Sequence, residues 1–589
     1  SFTGGITGRL FQQFSVTIAV SVVISAFNAL TLSPALCALL LRRREPPKKG
    51  FFAAFNRWFA RRMDKYTAFT PTLIRHVART GVFIAAVLAV IFLVWRKLPA
   101  GFLPEEDQGY VMVMVSTPEA SSLQVTQKAM IRADEVIRTL PEVASTSFAA
   151  GFNMMAGIAS TDSGIIFVSL VGYSDRKLTA MEIAQKLTDE LYMAVPGAEC
   201  FAFIPPSIPG LGITSGVSVE VQDLEGRGTA YLLEQSERLM DSLRKLPSVA
   251  SVTTQFNAGV PQRRLRIDKE QALASGVDLG VLYGDLTTLL GGAYVNNFSR
   301  FGKLYQTYIQ AAPAYRMDKR SLDSYYVASS SGESVPVSSL VEVVDTVGVE
   351  YVSQFNLYRS IGLTVTPAAR TSTTTVMQDI TRTAAQVLPD DVGTAWSGTS
   401  FQEANASKTG GLVYLLALVF VFLALAALYE SWGLPLAILM SVPVAVLGAV
   451  LFIGVSHLLN AFYVNDIYMQ ISLVMLIGLA AKNAILVVEY ADRLFNEQGA
   501  SLMDAAIGAA KLRVRPIIMT AFAFILGVMP LIFASGVYAT ARNIMGVALV
   551  GGMLFATLLG IFVYPALYYF VGRIGGFERR RERKKQEQS

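Results

Sequence analysis

The sequence predicts a polytopic α-helical membrane protein that carries one large α+β domain outside the membrane. Hydrophobic residues make up 52% of the 589 residues, charged residues only 16%, and the mean hydropathy is +0.45. Soluble domains carry about 25% charged residues. Seven apolar runs are each long enough to cross a bilayer, which takes about 20 residues. Between the second and third runs, 99–408 has the composition of a soluble domain.

The predicted spans lie at both ends of the chain. They cover 12–41, 81–98, 411–431, 434–457, 467–490, 516–535 and 544–572. Leu32–Leu36 (LSPAL) near the end of the first span resembles Val563–Leu567 (VYPAL) near the end of the last. Internal repeats are common in transporters. If the two spans are equivalent, the first closes one repeat, and we expect about five spans and a second outer domain before Ser1.

Charge sets the predicted orientation. The segment 42–80 carries eleven Lys/Arg against two acids, and 571–589 carries seven against three. The positive-inside rule places both in the cytoplasm and 99–408 on the outer side. Residues 101–408 hold 33 acids and 23 bases, a net charge of −10, so the remainder of the chain carries +16 and the total is +6. Because their position beside the membrane explains the basic runs, we predict no nucleic-acid partner.

The outer segment repeats a strand–helix–strand pattern, which typically builds sheets covered by helices on one face. The predicted units are 110–116, 121–139 and 140–145; 165–171, 179–193 and 196–203; 217–222, 230–245 and 246–251; and 363–367, 373–387 and 392–396. A looser fifth unit covers 263–310, where Asp278 is a candidate cap for a helix over Leu279–Leu290.

One charge lies deep in a predicted span. Lys482 is twelve or more residues inside the fifth span, and no carboxylate lies at matching depth in the seven spans. A buried ammonium normally finds a partner. It is either a structurally paired or snorkelling lysine, or part of a proton relay in which protonation of a facing carboxylate releases it. Thr520 is a candidate relay member, although a mid-helix threonine often bonds to its own helix. Arg513 is either a relay member or a topology anchor.

An apolar set of side chains in the outer segment predicts a binding surface for varied hydrophobic ligands. Its members are Met112, Met114, Phe148, Phe152, Met154, Met155, Phe167, Phe201 and Phe203. Two predicted loops rich in small residues, 151–164 and 205–216, accompany them. Core packing is the alternative for each strand residue.

The motifs of several enzyme classes are absent from the sequence. It holds no GxxxxGK[ST], GxSxG, HExxH or CxxC pattern, and only two cysteines and two histidines. ATP hydrolysis, a disulfide framework and a His-based metal site are therefore not predicted. We predict a secondary transporter without a cofactor or resident metal, driven by an ion gradient, rather than an enzyme.

The chain resembles the carboxy-terminal half of the resistance-nodulation-division (RND) multidrug efflux transporters, hydrophobe/amphiphile efflux class. The resemblance covers nearly all 589 residues. Its motifs are Gly4–Phe14, Leu98–Gln108 (LPAGFLPEEDQ), Leu425–Trp432 (LAALYESW), Gly478–Ala491 (GLAAKNAILVVEYA), Arg515–Leu531 (RPIIMTAFAFILGVMPL) and Ala293–Phe298 (AYVNNF), the last in a docking domain.

The resemblance implies a proton-driven homotrimer in the inner membrane of a Gram-negative bacterium. It also implies a periplasmic adaptor protein and an outer-membrane channel as partners, with membrane lipids around the spans and hydrophobic or amphiphilic drugs as substrates. Lys482, Thr520 and Arg513 fall on relay positions, while the relay aspartates belong to a span outside this sequence. Met112, Met114, Phe148 and Phe167 fall on the distal drug pocket, and Phe201 and Phe203 on the proximal one. A switch loop is implied at Gly151–Ser163, including Gly157, with Met154 and Met155 where aromatic residues are commoner.

The resulting domain division has six parts. They are a first-repeat span (1–41), a cytoplasmic basic loop (42–80), a span (81–98), periplasmic porter and docking subdomains (99–408, docking about 258–360), five spans (409–573) and a cytoplasmic basic tail (574–589). Two other functions on the same fold stay open. Thioethers of Met112, Met114, Met154 and Met155 suit Cu(I) or Ag(I) export, and a lipid receptor or scaffold would not pump.

Overall fold

A computed structural model describes residues 5–41, 50–75, 77–208, 210–368, 371–460 and 462–577. Two compact units result. The larger contains Ser1–Ser116, Thr126–Gln255 and Ser353–Ser589, and the smaller contains Thr117–Val125 and Phe256–Val352. Most of the predicted basic tail, from 578 onward, lies outside the described residues.

Four helices open the chain. They are α1 (Gly5–Leu30), α2 (Leu32–Leu40), α3 (Phe51–Ile74) and α4 (Val77–Lys97). The first predicted span corresponds to α1 and α2, which together form a continuous apolar stretch, and the second corresponds to α4. Helix α3 lies in the basic segment 42–80, which was predicted only as a loop.

The first outer sheet contains two of the predicted strand–helix–strand units. Its elements are β1 (Tyr110–Ser116), α5 (Leu123–Ile137), β2 (Val143–Asn153), β3 (Ile158–Leu170), α6 (Ala180–Ala194) and β4 (Glu199–Phe203). The antiparallel order is β2-β3-β1-β4. Helices α5 and α6 cover one face through a buried cluster that includes Met130, Ile137 and Leu187. A capping box at Thr179 and Glu182 starts α6, because each side chain satisfies a backbone N–H of the other residue.

Three further elements precede the smaller unit: β5 (Val217–Asp223), α7 (Thr229–Leu243) and β6 (Val249–Thr254). The smaller unit contains β7 (Val260–Ile267), α8 (Lys269–Ala274), α9 (Leu279–Leu286), β8 (Ala293–Arg300), β9 (Lys303–Ile309), β10 (Tyr326–Ala328), β11 (Ser334–Pro336) and β12 (Val341–Gly348). Asp278 caps α9 as predicted, accepting the Val281 N–H at 3.0 Å. The looser fifth unit has its strand, helix and strand in the predicted order, but the strands lie in different sheets, because β7 pairs with β12 and β8 pairs with β9.

The second outer sheet is completed after the smaller unit by β13 (Ser353–Phe355), β14 (Tyr358–Pro367) and β15 (Val392–Trp396), with α10 (Thr373–Val387). Its order is β13-β14-β5-β15, and β6 pairs with β14. Four predicted strand–helix–strand units are thus present, which confirms the α+β prediction.

Within the described residues 371–460 and 462–577, seven more helices follow: α11 (Gly398–Tyr429), α12 (Gly433–Leu439), α13 (Val442–Leu459), α14 (Ile467–Asn496), α15 (Leu502–Ile532), α16 (Ala539–Leu558) and α17 (Gly560–Ile574). In the described residues, six helical stretches are long and apolar enough to cross a membrane. The third predicted span falls on α11, whose apolar part is the shorter Tyr414–Tyr429. The seventh is divided at Leu559 into α16 and α17.

Glycines bring α13 and α16 close together. A Cβ at Gly448 would lie 2.3 Å from the Gly551 carbonyl oxygen, and one at Gly551 would lie 2.5 Å from Phe452 Cβ. Small residues permit such close approach of helices. The crossing therefore depends on the absence of side chains at these positions.

Candidate functional site

One candidate binding surface lies on the first outer sheet, on the face opposite α5 and α6. The alternation of β1 sends Val111, Val113 and Val115 into the core under those helices and Met112 and Met114 to the other face. We define the Met–Phe patch as the cluster of Met112, Met114, Ile165, Phe203, Met154 and Met155. The first four are buried and the last two partly buried.

Strand register brings five of the predicted residues onto this face. Met112 is paired with Phe167 on β3 and with Phe203 on β4, and Met114 is paired with Phe201. Directly paired residues present their side chains on the same face of a sheet. The rings of Phe201 and Phe203 are stacked, with centroids 5.9 Å apart. Phe167 is 37% exposed and Phe201 is 51% exposed, so aromatic surface remains free beside the buried methionines.

Two predicted residues are placed differently. Phe148 is paired with Ile166, a member of the core under the helices, and therefore lies on the face opposite Met112. Phe152 is paired with Ala159 beyond a register irregularity. Both phenylalanines are partly exposed, but the structure does not bring them into the Met–Phe patch.

The segment predicted as a loop over 151–164 is a β-hairpin arm instead. Strand β2 continues to Asn153, and β3 starts at Ile158 after four intervening residues. The Gly157 N–H donates to the Asn153 carbonyl at 2.9 Å. Gly151 and Gly157 have positive φ angles of 88° and 72°, which glycine adopts at no steric cost. Ser163 is a strand residue paired with Ser116. The small residues of this segment suggested an irregular backbone, but pairing between β2 and β3 holds the backbone in an extended conformation.

The predicted relay lysine lies on an uncovered face of α14. Ala481 and Ala484 are buried in the cluster that joins α14 to α15. Lys482 and Gly478, one turn earlier, are exposed, and a Cβ at Gly478 would meet nothing within 4 Å. In the part of the chain that the structure describes, no ion pair joins Lys482 to a carboxylate. The ammonium therefore faces away from the described bundle.

The other two relay candidates have local partners. The Thr520 hydroxyl donates to the Ile517 carbonyl at 3.0 Å, which is the bond to its own helix that the sequence analysis considered. The Arg513 guanidinium lies over the Tyr490 ring, 4.8 Å from its centroid. Within the described residues, the Thr520 hydroxyl accepts no hydrogen bond from Lys482.

Two adjacent carboxylates, Glu106 and Asp107, connect a membrane helix to an outer helix, a role that the sequence did not predict. Glu106 accepts the Ala541 N–H at 2.7 Å and the Thr540 N–H at 3.2 Å, both in the first turn of α16. Asp107 accepts the N–H of Ala180, the first residue of α6, at 2.8 Å. A carboxylate is favourable at a helix N-terminus because the unpaired N–H groups and the helix dipole are positive there.

A buried ion pair completes this junction. Arg176 donates to Asp107 at 2.6 Å, and its side chain is only 1% exposed. Burial raises the pKa of Glu106. Burial acts in the same direction on Asp107, but hydrogen bonds from Arg176 and from backbone amides outweigh it and hold the pKa of that carboxyl below its usual value.

A cavity of about 310 Å³ adjoins the junction. Its polar lining includes Glu105, Glu106, Asp107, Asn460 and Asn543.

Asp466 is fully buried and caps α14 by accepting the Met469 N–H at 2.8 Å. Acidic residues just before a strand are an available sequence signal, but only the fold shows which helices they cap.

Comparison with known proteins gives one consistent result. The family model described as the AcrB/AcrD/AcrF family matches residues 1–572. The toluene efflux pump membrane transporter TtgB of Pseudomonas putida is 36% identical over 587 residues, which is 98% of this chain and 55% of that protein. Multidrug resistance protein MdtF of Escherichia coli is 34% identical, over 97% of this chain and 55% of that protein. Multidrug export protein AcrF of Escherichia coli is 33% identical, over 97% and 56%. The chain spans about half the length of these relatives.

Proposed function

We propose that this chain, which belongs to the AcrB/AcrD/AcrF family, acts in proton-driven export of hydrophobic and amphiphilic compounds such as antibiotics, dyes and detergents. The relatives carry names that refer to toluene efflux, multidrug resistance and multidrug export. The single observation that carries the proposal is the exposed position of Lys482 in the middle of α14. The partly open Met–Phe patch on the first outer sheet supports it.

Lys482 is proposed to couple the proton gradient to movement. An ammonium at the bilayer centre costs about 2.5–3.5 kcal/mol on insertion scales, so it requires a partner. In the proposal, carboxylates from outside these 589 residues face it across the open side of α14. When such a carboxylate takes up a proton, it loses its charge and releases Lys482. The helix is then free to shift.

Thr520 and Arg513 are proposed to assist this step. The Thr520 hydroxyl donates a hydrogen bond to the Ile517 carbonyl. In the proposal it rotates so that its oxygen accepts a hydrogen bond from the released ammonium. Arg513 keeps a positive charge near the cytoplasmic end of α15, over the Tyr490 ring. No cofactor is required in this scheme.

The Met–Phe patch is proposed as the substrate surface. Thioethers are flexible and polarisable, and they make favourable contacts with aromatic rings, so a surface built from them adapts to different apolar ligands. Exposed Phe167 and Phe201 supply ring faces beside it. We further propose a homotrimer in the inner membrane that works with a periplasmic adaptor protein and an outer-membrane channel.

A second candidate substrate is a soft metal ion. Met112, Met114, Met154 and Met155 all belong to one cluster, and thioether sulfur prefers Cu(I) and Ag(I). The adjoining phenylalanines favour organic ligands over metal ions.

A sensitivity assay tests the proposal. A strain that lacks its own exporter is supplied with the complete transporter and challenged with cationic dyes, and separately with copper. We expect resistance to dyes only, and its loss in Lys482→Ala but not in Lys511→Ala, a lysine near the cytoplasmic end of α15. Copper resistance without dye resistance favours the metal alternative. Dye resistance in Lys482→Ala contradicts the coupling role.

A further inference from the structure

Helix α3 has a packed side and, next to it, an exposed aromatic and basic stripe. One side packs against the membrane helices: the Tyr66 hydroxyl donates to the Ile561 carbonyl at 2.7 Å, and the Tyr66 ring lies edge-on to Phe562 at 5.2 Å. Tyr66 also clusters with Ala510 and Val514 of α15. These contacts fix how α3 is rotated about its own axis.

Beside the packed side runs a stripe of aromatic and basic residues, and its last ring, Phe69, also lies edge-on to Phe562 with centroids 6.2 Å apart. We define the α3 stripe as Phe51, Phe55, Trp58, Arg62, Lys65 and Phe69, whose spacing of four, three, four, three and four residues keeps them on one line along a helix. Its four aromatic side chains are between 46% and 77% exposed. Such a row of large exposed rings is unusual for a surface that faces only water.

The rings and the cations of the α3 stripe contact one another. Phe55 and Trp58 have ring centroids 5.9 Å apart, and the Arg62 guanidinium lies 5.8 Å from the Trp58 ring centroid. The stripe is thus a continuous surface in which a cation is held beside apolar rings.

Basic charge on α3 is unneutralised. The helix holds Arg57, Arg61, Arg62 and Lys65 against the single acid Asp64. Within the residues that the structure describes, no ion pair joins any of these four to a carboxylate. Arg515, from α15, adds a further cation over the Phe59 ring at 5.9 Å. The surface is therefore complementary to an anion that also offers an apolar part.

The position of α3 specifies which anion fits. It lies in the chain between the spans α1–α2 and α4, and its inner side packs on α15 and α17. Aromatic rings settle at the boundary between lipid headgroups and acyl chains, and basic residues bind the headgroup phosphates of anionic lipids.

We propose that the α3 stripe is a binding site for anionic phospholipid of the phosphatidylglycerol class in the leaflet that α3 faces. Arg62 and Lys65 contact the headgroup phosphate, and Phe55, Trp58 and Phe69 lie against the upper acyl chains. The proposal rests on membrane insertion and does not depend on transport.

Fluorescence quenching of Trp58 tests it. The full chain with Trp95, Trp396 and Trp432 replaced by phenylalanine is placed in phosphatidylcholine nanodiscs, which leaves Trp58 as the reporter. Nitroxide-labelled phosphatidylglycerol or nitroxide-labelled phosphatidylcholine is then added at increasing mole fraction. We expect the labelled phosphatidylglycerol to reach half-maximal quenching at a mole fraction roughly 25-fold lower than the labelled phosphatidylcholine, because two basic residues contribute about fivefold each.

The charge variants decide between selective and general contact. Each basic residue near an anionic surface contributes about fivefold in affinity, so Arg62→Gln with Lys65→Gln should bring the ratio of the two half-points close to one. The matched control is Arg493→Gln with Lys511→Gln. It removes two basic residues outside the α3 stripe, one from the last turn of α14 and one from α15, and should leave the ratio unchanged.

Three results overturn the proposal. They are equal quenching by both lipids in the parent protein, an unchanged ratio in the Arg62/Lys65 variant, and no quenching by either lipid, which would mean that another segment or chain covers the stripe. If the variant does not assemble, the parent protein is measured in 1 M salt instead, because the screening length then falls to about 3 Å and weakens the attraction between basic residues and headgroup. The preference of the parent protein should then fall, and a preference that survives 1 M salt contradicts the proposal.

Discussion

Replacing Asp107 with asparagine should loosen the start of α6. The carboxylate accepts hydrogen bonds from Arg176, Ala180 and Gly109, and asparagine offers one acceptor oxygen and no charge. Breaking a buried pair by removing one partner costs about 3–5 kcal/mol. Because the Asp107 side chain is 14% exposed, we expect the lower end, about 3 kcal/mol.

Hydrogen exchange at the first-turn amides of α6 measures this locally. A loss of about 3 kcal/mol corresponds to roughly a 100-fold fall in protection, since each tenfold change is about 1.4 kcal/mol. Arg176→Met should cause a similar loss. The double variant leaves no unpaired buried charge, so its loss should be about 2 kcal/mol or more below the sum of the single losses. Additive effects, or an unchanged protection in Asp107→Asn, would refute the reasoning.

The pH dependence of this contribution has a defined sign. The pKa of Asp107 in the folded protein lies below its ordinary value of 3.8. The native state therefore favours the ionised form, and the stability that this gives is fully present above the unfolded pKa and is lost as the pH falls through the folded pKa. The hydrogen-exchange protection of the α6 amides in the parent protein, corrected for intrinsic exchange rates, should stay constant between pH 7 and about 5, because Asp107 remains ionised over that range in both states.

Two other variants test the packing and the binding surface. Gly551→Ala should destabilise the protein by about 1–3 kcal/mol, because the new Cβ would overlap Phe452. The effect would be measured as a lower melting temperature in detergent. Gly454→Ala is the control and should have little effect, because a Cβ there has no neighbour nearer than 3.6 Å. Phe201→Ala should weaken dye binding about fivefold, since burial of half an aromatic side chain contributes about 1 kcal/mol. Phe148→Ala on the opposite face is the control, and equal losses in both variants would contradict the assignment of faces.

Much of the fold follows from local sequence pattern. The alternation of Tyr110–Ser116 predicted β1 with its observed ends, and Asp278 predicted the start of α9. Both depend on residues adjacent in the chain, so no knowledge of the rest of the fold is needed.

Features that depend on distant partners were not accessible in this way. The face to which Phe148 belongs depends on the pairing of β2 with β3 and its irregularities, which a single strand does not reveal. The hairpin arm over Gly151–Ser163 was taken for a loop because its residues are small, and only pairing extends it.

Helix α3 and the junction illustrate two different omissions. The stripe spacing in Phe51–Ile74 is visible in the sequence, but its apolar face is shorter than the apolar spans on either side and gives a weaker signal. The roles of Glu106 and Asp107 could not be predicted without the fold, because their hydrogen-bond donors are distant in the chain. The two amides that donate to Glu106 lie 434 and 435 positions away, and the amide of Ala180 that donates to Asp107 lies 73 positions away.

Proton flux in proteoliposomes tests the central claim most directly. The complete transporter is reconstituted with a pH-sensitive dye inside the vesicles, a pH gradient is imposed, and an exported drug is added. We predict drug-stimulated proton movement in the parent and in Lys511→Ala, and none in Lys482→Ala. Drug-stimulated proton movement that persists in a correctly assembled Lys482→Ala protein would contradict the account.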